Sequence, residues 1–306
     1  MVDLVGRKVT VRVPATSANL GPGFDTLGMA LSYYDELEVE AVAGTGALVE
    51  VQGEGAGEVA TDENNLVVKS IAYVFEKFGQ NLPGLHLKAH NIIPHGRGMG
   101  SSGAAVVSGI VAAQGLLDGI VEFTPQQLLQ LATDLEGHPD NVAPALFGGL
   151  TIAWEDDFGP HHKKLIVHRG VSPLELVPNF KMSTSAARAL QPESVPHEDA
   201  VFNVSRSALL VAALTQSPEL LMAATEDRLH QDYRAEAMPE SRSVIELMRK
   251  NGHAAVVSGA GPSVLVLASD PAERIEAAKL AAENFPQWTA LLLAVDFKGA
   301  TVISHQ

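Results

Sequence analysis

The sequence predicts an α+β protein of two domains, and three observations carry that reading. Its 306 residues are about twice the length of an ordinary domain. Strand-like alternation and helix-like spacing interleave along the whole chain. Several connections between strand segments are too short for the crossover a parallel pair requires, which argues against a doubly wound sheet.

Val9 to Val13 sets valines against Lys8, Thr10 and Arg12, a strand pattern without the continuous apolar run of a signal peptide. It runs into Pro14-Ala15-Thr16-Ser17-Ala18-Asn19-Leu20-Gly21-Pro22-Gly23-Phe24-Asp25, whose turn-forming and small polar residues predict a loop. Strands follow near Tyr34–Ala41 and Ala47–Gln52, helical spacing covers Leu66–Phe78, and Leu85–Ile93 alternates again. Beyond Pro94-His95-Gly96-Arg97-Gly98-Met99-Gly100-Ser101-Ser102-Gly103, small and apolar residues to Leu117 predict a tightly packed helix, with the serine pair suited to its N-cap. Thr124 ahead of Pro125 starts another helix, to Leu135. Gly137-His138-Pro139-Asp140-Asn141 is a break before Val142–Phe147, and Gly148-Gly149 leads into a strand at Leu150–Trp154. From Glu155 to Lys164 the composition turns to Asp, Gly, Pro, His and Lys. A surface connection is expected there, dividing the chain into domains 1–158 and 159–306. The second half alternates strands at Lys164–His168, Leu174–Pro178, Ala254–Val257, Val264–Ala268 and Leu291–Val295 with helices at Asp199–Leu214, Pro239–Asn251 and Pro271–Phe285.

Composition narrows the function. A formal net charge of −15, with no run of Lys or Arg, argues against nucleic acid or an anionic membrane as partner. The absence of cysteine excludes disulfides, thiolate catalysis and cysteine zinc sites. His161 and His162 lack a third ligand at zinc spacing. No apolar stretch is long enough for a membrane helix, and a cytoplasmic protein is expected.

The strongest local signal is Pro94–Ala104. Glycines let backbone approach a phosphate, and a loop entering a helix aims unpaired N–H groups at the anion. Gly98-x-Gly100-x-x-Gly103 also matches the dinucleotide fingerprint, but the following helix leads into a second helix and not into a Rossmann strand. A P-loop would need Gly-Lys-Ser/Thr, and a protein-kinase glycine loop would need its strand lysine and an HRD loop; neither set is present. A small-residue turn that only permits close packing is the plainer alternative.

Three segments together resemble the GHMP kinases: the strand and loop ending Pro14–Asp25, the phosphate loop Pro94–Ala104, and Ser258-Gly259-Ala260-Gly261-Pro262-Ser263. They span most of the chain in the family's order. Glu136–Ala145, Ser183–Arg188 and Glu226–Arg234 resemble the branch of the family that phosphorylates L-homoserine. One departure is Gly-Met-Gly-Ser-Ser-Gly-Ala, where the family commonly has Gly-Leu-Gly-Ser-Ser-Ala-Ala. The resemblance implies an N-terminal ATP-binding domain of the ribosomal-protein-S5-domain-2-like type, a ferredoxin-like C-terminal domain, a ligand cleft between them and a homodimer. It further implies ATP-dependent phosphorylation of the L-homoserine hydroxyl with Mg²⁺, a step of threonine biosynthesis.

On this basis Pro94, Gly96, Arg97, Gly98, Met99, Gly100, Ser101, Ser102, Gly103 and Ala104 are expected at the nucleotide, and Asn65 either there or as a helix cap. Asp25 with Asn19 would receive the substrate ammonium. Arg188 and Arg234 would take its carboxylate and the γ-phosphate, with Thr184 one helical turn before Arg188. His138 and Gly261 are expected near the substrate and Asn141 near its hydroxyl, with Asp140 open as a base. Ser101 or Ser102 with Glu136 would hold Mg²⁺, which needs oxygen ligands. The rivals are a GHMP kinase for mevalonate or a polyol, a nicotinamide dehydrogenase resting on the fingerprint alone, and a nucleotide-sensing module without turnover.

Overall fold

The computed structural model describes residues 4–305. Its first sheet contains β1 (Lys8–Ala18), β2 (Leu27–Val42), β3 (Ala47–Gly53), β4 (Gly84–Asn91), β5 (Leu150–Asp156), β6 (Gly159–Leu165) and β11 (Thr301–His305). The strand order is β11-β1-β2-β4-β3, with β5 also paired to β2 and β6 to β5. The β3–β4 pair is parallel, and the helix α1 (Leu66–Lys77) is the crossover that such a pair needs. Three more helices belong to this half: α2 (Ser101–Leu116), α3 (Pro125–Glu136) and α4 (Pro139–Phe147). Helix α2 is buried on nearly every side, which its run of Gly, Ala, Val and Ser permits.

The second sheet contains β7 (Ser172–Val177), β8 (Ala254–Val257), β9 (Val264–Ala268) and β10 (Thr289–Leu292), in the antiparallel order β10-β7-β9-β8. Between β7 and β8 lie α5 (Thr184–Ala189), α6 (His197–Thr215), α7 (Leu221–Ala224), α8 (Gln231–Arg234) and α9 (Pro239–Lys250); α10 (Pro271–Asn284) joins β9 to β10. Strand, helices, two strands, helix, strand in this order is the ferredoxin-like arrangement that the resemblance implied. One apolar core runs under the first sheet and α2 and continues into Leu210, Val256 and Leu265; a second lies between β7, β9, α9 and α10 around Trp288. Among the described residues no helix is long and apolar enough to cross a membrane.

Three local expectations change. Pro14–Ala18, read as loop, continues β1 across a register shift between Pro14 and Ala15, where the missing proline N–H costs least. The Glu155–Lys164 stretch is no linker: it turns from β5 into β6 and stays in the first sheet. A division at 158/159 would cut this hairpin, and we propose one between Leu165 and Ser172, with β11 returning to the first domain. The serine pair does not cap α2; Gly100 holds the N-cap position and Ser101 is already helical.

Candidate active site

The glycine loop is shaped by left-handed backbone at Gly96, Gly98 and Gly100 (φ +66°, +80° and +71°). A Cβ at Gly98 would lie 2.2 Å from the Ser258 carbonyl oxygen, and one at Gly100 would lie 2.0 Å from Thr16 Oγ1, so both positions exclude any side chain. Gly100 supplies no capping side chain, and no acidic residue stands in the first turn of α2. The first N–H groups of a long buried helix therefore open into the cleft with the positive end of its dipole, an arrangement that suits an anion. Met99 is fully buried and Ala104 nearly so, so Met99 serves the loop through its backbone. Arg97 turns aside to Glu54 Oε2 (3.5 Å) and the Asn179 carbonyl (3.4 Å).

Beside the loop lies an apolar pocket lined by Val49, Val51, Leu66, Val67 and Leu87, which shares Ser101 and Ser102 with the cleft. Asn65 lines it, and its side chain also caps α1, accepting from the Val67 N–H (2.9 Å) and donating to the Ala60 carbonyl (2.7 Å). Asn65 thus has the capping role, and its place in the pocket lining is what supports a nucleotide contact.

The cleft brings together Asn19, Asp25, Gly96, Gly98, Gly100, Ser101, Ser102, Glu136, His138, Asp140, Asn141, Arg188 and Arg234, residues dispersed over most of the sequence. Arg188 donates through both terminal nitrogens to Asp25, Nη2 to Oδ1 at 2.9 Å and Nη1 to Oδ2 at 3.2 Å. The side chain of Asn19 accepts from the Asp25 N–H (2.9 Å) and donates to the Gly259 carbonyl (2.8 Å), so it holds the Asp25 turn and the second domain together. Arg234 is 2% exposed and its hydrogen bonds go to neutral acceptors. His230 Nε2 donates to the Gly21 carbonyl (2.8 Å), which leaves its Nδ1 to accept from Arg234 Nη1 (3.3 Å). A cation buried against neutral partners is a standing attraction for an anionic ligand.

On the opposite wall His138 Nδ1 donates to Asp140 Oδ1 (2.7 Å), and that bond raises the histidine pKa above its usual range. Thr16 Oγ1 donates to Asn141 Oδ1 (2.9 Å), directing the rest of the amide. Ser102 Oγ donates to Glu136 Oε2 (2.8 Å), while burial raises the Glu136 pKa. This hydroxyl and carboxylate form an oxygen-only donor set next to the phosphate loop. It suits Mg²⁺, which takes its remaining ligands from phosphate and water. Among the described residues no cluster of three or more His, Asp or Glu could hold a metal alone.

Of the expected residues, Pro94, Arg97, Met99, Gly103, Ala104 and Gly261 do not line the cleft. Gly259 and Ala260 line the cleft where Gly261 was expected; the Gly261 N–H is occupied by the Ser258 carbonyl (2.8 Å). Thr184 opens α5, but its side chain lies outside the described residues. Thr16, Met182 and Ser183 were missed; Thr16 and Ser183 lay inside recognised segments, but no residue-level signal separated them from their neighbours.

The three segments that suggested the family also lock together. The Gly259 N–H donates to the Ala18 carbonyl (3.1 Å), the Ser263 N–H to the Arg97 carbonyl (3.3 Å), and the Thr16 N–H to the Met99 carbonyl (3.1 Å). Comparison with known proteins agrees with this geometry. Residues 65–149 match the GHMP kinases N terminal domain and residues 209–287 the GHMP kinases C terminal domain. A homoserine kinase of Clavibacter michiganensis is 70% identical over 97% of this chain and 94% of its own. One from Streptomyces coelicolor is 48% identical over 96% of this chain and 94% of its own. The crystal structure of homoserine kinase from Cytophaga hutchinsonii superposes with a TM-score of 0.87 at 27% identity, covering 97% of each chain. A mevalonate kinase structure from L. major shares the fold alone, with a TM-score of 0.68 at 17% identity over 95% of each chain. The chain thus belongs to the GHMP kinase family, in its homoserine kinase branch.

Proposed function

We propose that this chain transfers the γ-phosphoryl group of ATP to the side-chain hydroxyl of L-homoserine, giving O-phospho-L-homoserine and ADP in the synthesis of threonine. One observation carries the reading: the uncapped start of α2 and the bidentate Asp25–Arg188 pair open into one cleft. The first suits a polyphosphate. The second holds one anionic and one cationic group whose natural replacements are an ammonium and a carboxylate. A mevalonate or polyol substrate has no ammonium for Asp25. Arrival of the amino acid exchanges the Asp25–Arg188 pair for two substrate contacts. Asp25 then takes the ammonium, and Arg188 takes the carboxylate or the transferring phosphoryl, with the buried Arg234 adding positive charge.

Adenine fits the apolar pocket beside Asn65, since that pocket joins the phosphate loop through Ser101 and Ser102. Asn141, steadied by Thr16, positions the hydroxyl, whose oxygen forms the new bond to phosphorus as the bond to the ADP oxygen breaks. A loose transition state calls for alignment and charge more than for a strong base. Asp140 therefore serves by holding His138 at the substrate. Ser101 or Ser102 with Glu136 would hold Mg²⁺, which supplies charge neutralisation at the phosphates. A cytoplasmic homodimer completes the proposal, the dimer being checked by light scattering.

The test is ADP release from ATP with Mg²⁺ in the presence of L-homoserine, L-serine, L-threonine, mevalonate or no acceptor. Turnover confined to L-homoserine is expected. Turnover with another acceptor alone would overturn the substrate, and ATP binding without turnover would leave a sensing module. Chelation of divalent cations is expected to abolish the rate.

A further inference from the structure

Strand β7 carries Glu175 at its centre, fully buried, with Leu265 of β9 and Leu291 of β10 as its register partners. Nothing in the proposed reaction uses this carboxyl. Among the described residues its Oε2 has no hydrogen-bond partner, and its Oε1 lies 2.8 Å from Ser258 Oγ. The same Ser258 Oγ lies 2.9 Å from Ser17 Oγ and 3.0 Å from the Gly98 carbonyl oxygen. Ser17 and Ser258 are both fully buried. Three groups, from β7, β1 and the glycine loop, thus meet at one hydroxyl of the C-terminal motif.

Counting protons fixes their roles. A serine hydroxyl has one hydrogen to give and two lone pairs to receive with. The Gly98 carbonyl can only accept, so Ser258 must donate to it or the two oxygens face each other unbonded. Among the described residues Ser17 Oγ has no acceptor other than Ser258 Oγ, so its hydrogen fills one lone pair. The second lone pair faces Glu175, and the contact is bonding only if the carboxyl brings a hydrogen. We infer that Glu175 is a positioning residue: as a neutral carboxylic acid it donates to Ser258, and Ser258 donates to Gly98, which pins the phosphate-binding loop from the core of the second domain. Burial acts in the same direction, lifting the Glu175 pKa to about 8. An ionised Glu175 would instead capture the single Ser258 hydrogen and release the Gly98 carbonyl.

The loop pinned here is the one assigned to ATP, so the functional half of the inference rests on the kinase reading; the protonation half does not. Two measurements separate them. Carbon-13 NMR of protein labelled at the glutamate carboxyls should show one protonated carboxyl at neutral pH that disappears in Glu175→Gln. A spectrum with every glutamate ionised would overturn the inference whatever the enzyme does. In kinetics, Glu175→Met keeps the bulk but removes the donor. It should raise KM for ATP about tenfold, the scale of one lost charge-free hydrogen bond to a buried group, with kcat and KM for L-homoserine within about twofold. Glu175→Gln, whose amide can still donate, should restore KM for ATP to within about threefold of the parent. Ser258→Ala should match Glu175→Met, and the double variant should add nothing, as one linkage predicts. Should Glu175→Met fail to fold, Ser258→Ala carries the kinetic test alone. An unchanged KM for ATP in a folded Glu175→Met or Ser258→Ala protein would overturn the pinning role. A parent protein without ATP turnover would fault the kinase reading while the carboxyl signal still reported on Glu175.

Discussion

Asp25 sits in left-handed backbone at φ +51°, close to Asn19 at +69° and Leu20 at +52°. Asn and Asp tolerate that region, whereas a buried Leu there is an outlier of the kind that accumulates where a loop serves a ligand. The sequence pointed to Asn19 as a substrate contact; its amide bonds backbone at both ends and so aims Asp25, while it keeps a second N–H and a second lone pair and lines the cleft. Asp25→Asn should keep that turn and remove the charge. We expect kcat/KM for L-homoserine to fall about 10- to 100-fold with KM for ATP nearly unchanged, measured by coupled ADP release. Equal losses for both substrates would point to a collapsed loop. Asp35 gives a pH test of a second single residue. It is buried, accepts from the Ile92 and Ile93 N–H groups (2.7 and 2.9 Å), and burial lifts its pKa to about 6. Between about pH 4 and pH 6 the native state then holds a proton that the unfolded chain has released, so this residue's contribution to stability falls as pH rises through that window. A shift of that size corresponds to about 3 kcal/mol. Urea denaturation of the parent and Asp35→Asn across the window should show the gap between them changing by that order, and a constant gap would refute it.

Helix α2 shows what was legible at the scale of one element and what was not. Its small-residue run predicted the tight packing, and its position after a glycine loop underlies the anion site proposed there; neither depends on distant residues. The identity of its cap did, because serine is a good N-cap type and only the closeness of Thr16 forces Gly100 into that place. Two glycines of the same motif therefore behave differently. Gly100→Ala should abolish activity and destabilise the fold, since its Cβ meets Thr16 Oγ1 at 2.0 Å in a left-handed backbone. Gly103 has ordinary helical backbone, and a Cβ there would make normal contacts with Asn141 Cβ (3.4 Å) and Val142 Cγ1 (3.5 Å). Gly103→Ala should thus raise stability by about 0.5–1 kcal/mol and preserve turnover, as thermal denaturation and ADP release would show. The β5–β6 hairpin failed in the opposite way. Among the described residues β6 pairs only with β5, and its half-exposed His161 and His162 with the exposed Lys163 are what an edge strand carries to discourage further pairing. In a bare sequence that composition reads as a linker.

Across the whole molecule, the order of three recognised segments foretold a two-domain kinase, but not how far the domains depend on each other. That dependence lies in contacts between residues far apart in sequence, such as Asn19 with Gly259 and Ser258 with Gly98, which no local pattern encodes. The apolar core under the first sheet extends into Leu210, Val256 and Leu265, and β11 crosses back from the second domain to pair with β1. Breaking either domain would expose the core of the other and orphan the backbone that joins them, so the chain should unfold as one cooperative unit. Its two tryptophans allow a direct test, since Trp154 is on β5 of the first sheet and Trp288 is in the core beneath the second. Trp288→Phe and Trp154→Phe leave one fluorescent reporter in each domain. Urea transitions followed through the two proteins, each compared with far-ultraviolet circular dichroism on the same sample, should coincide within each protein. A domain that melted early would separate its tryptophan signal from the dichroism and show that the interlocked loops, despite their bonds, do not couple the two cores.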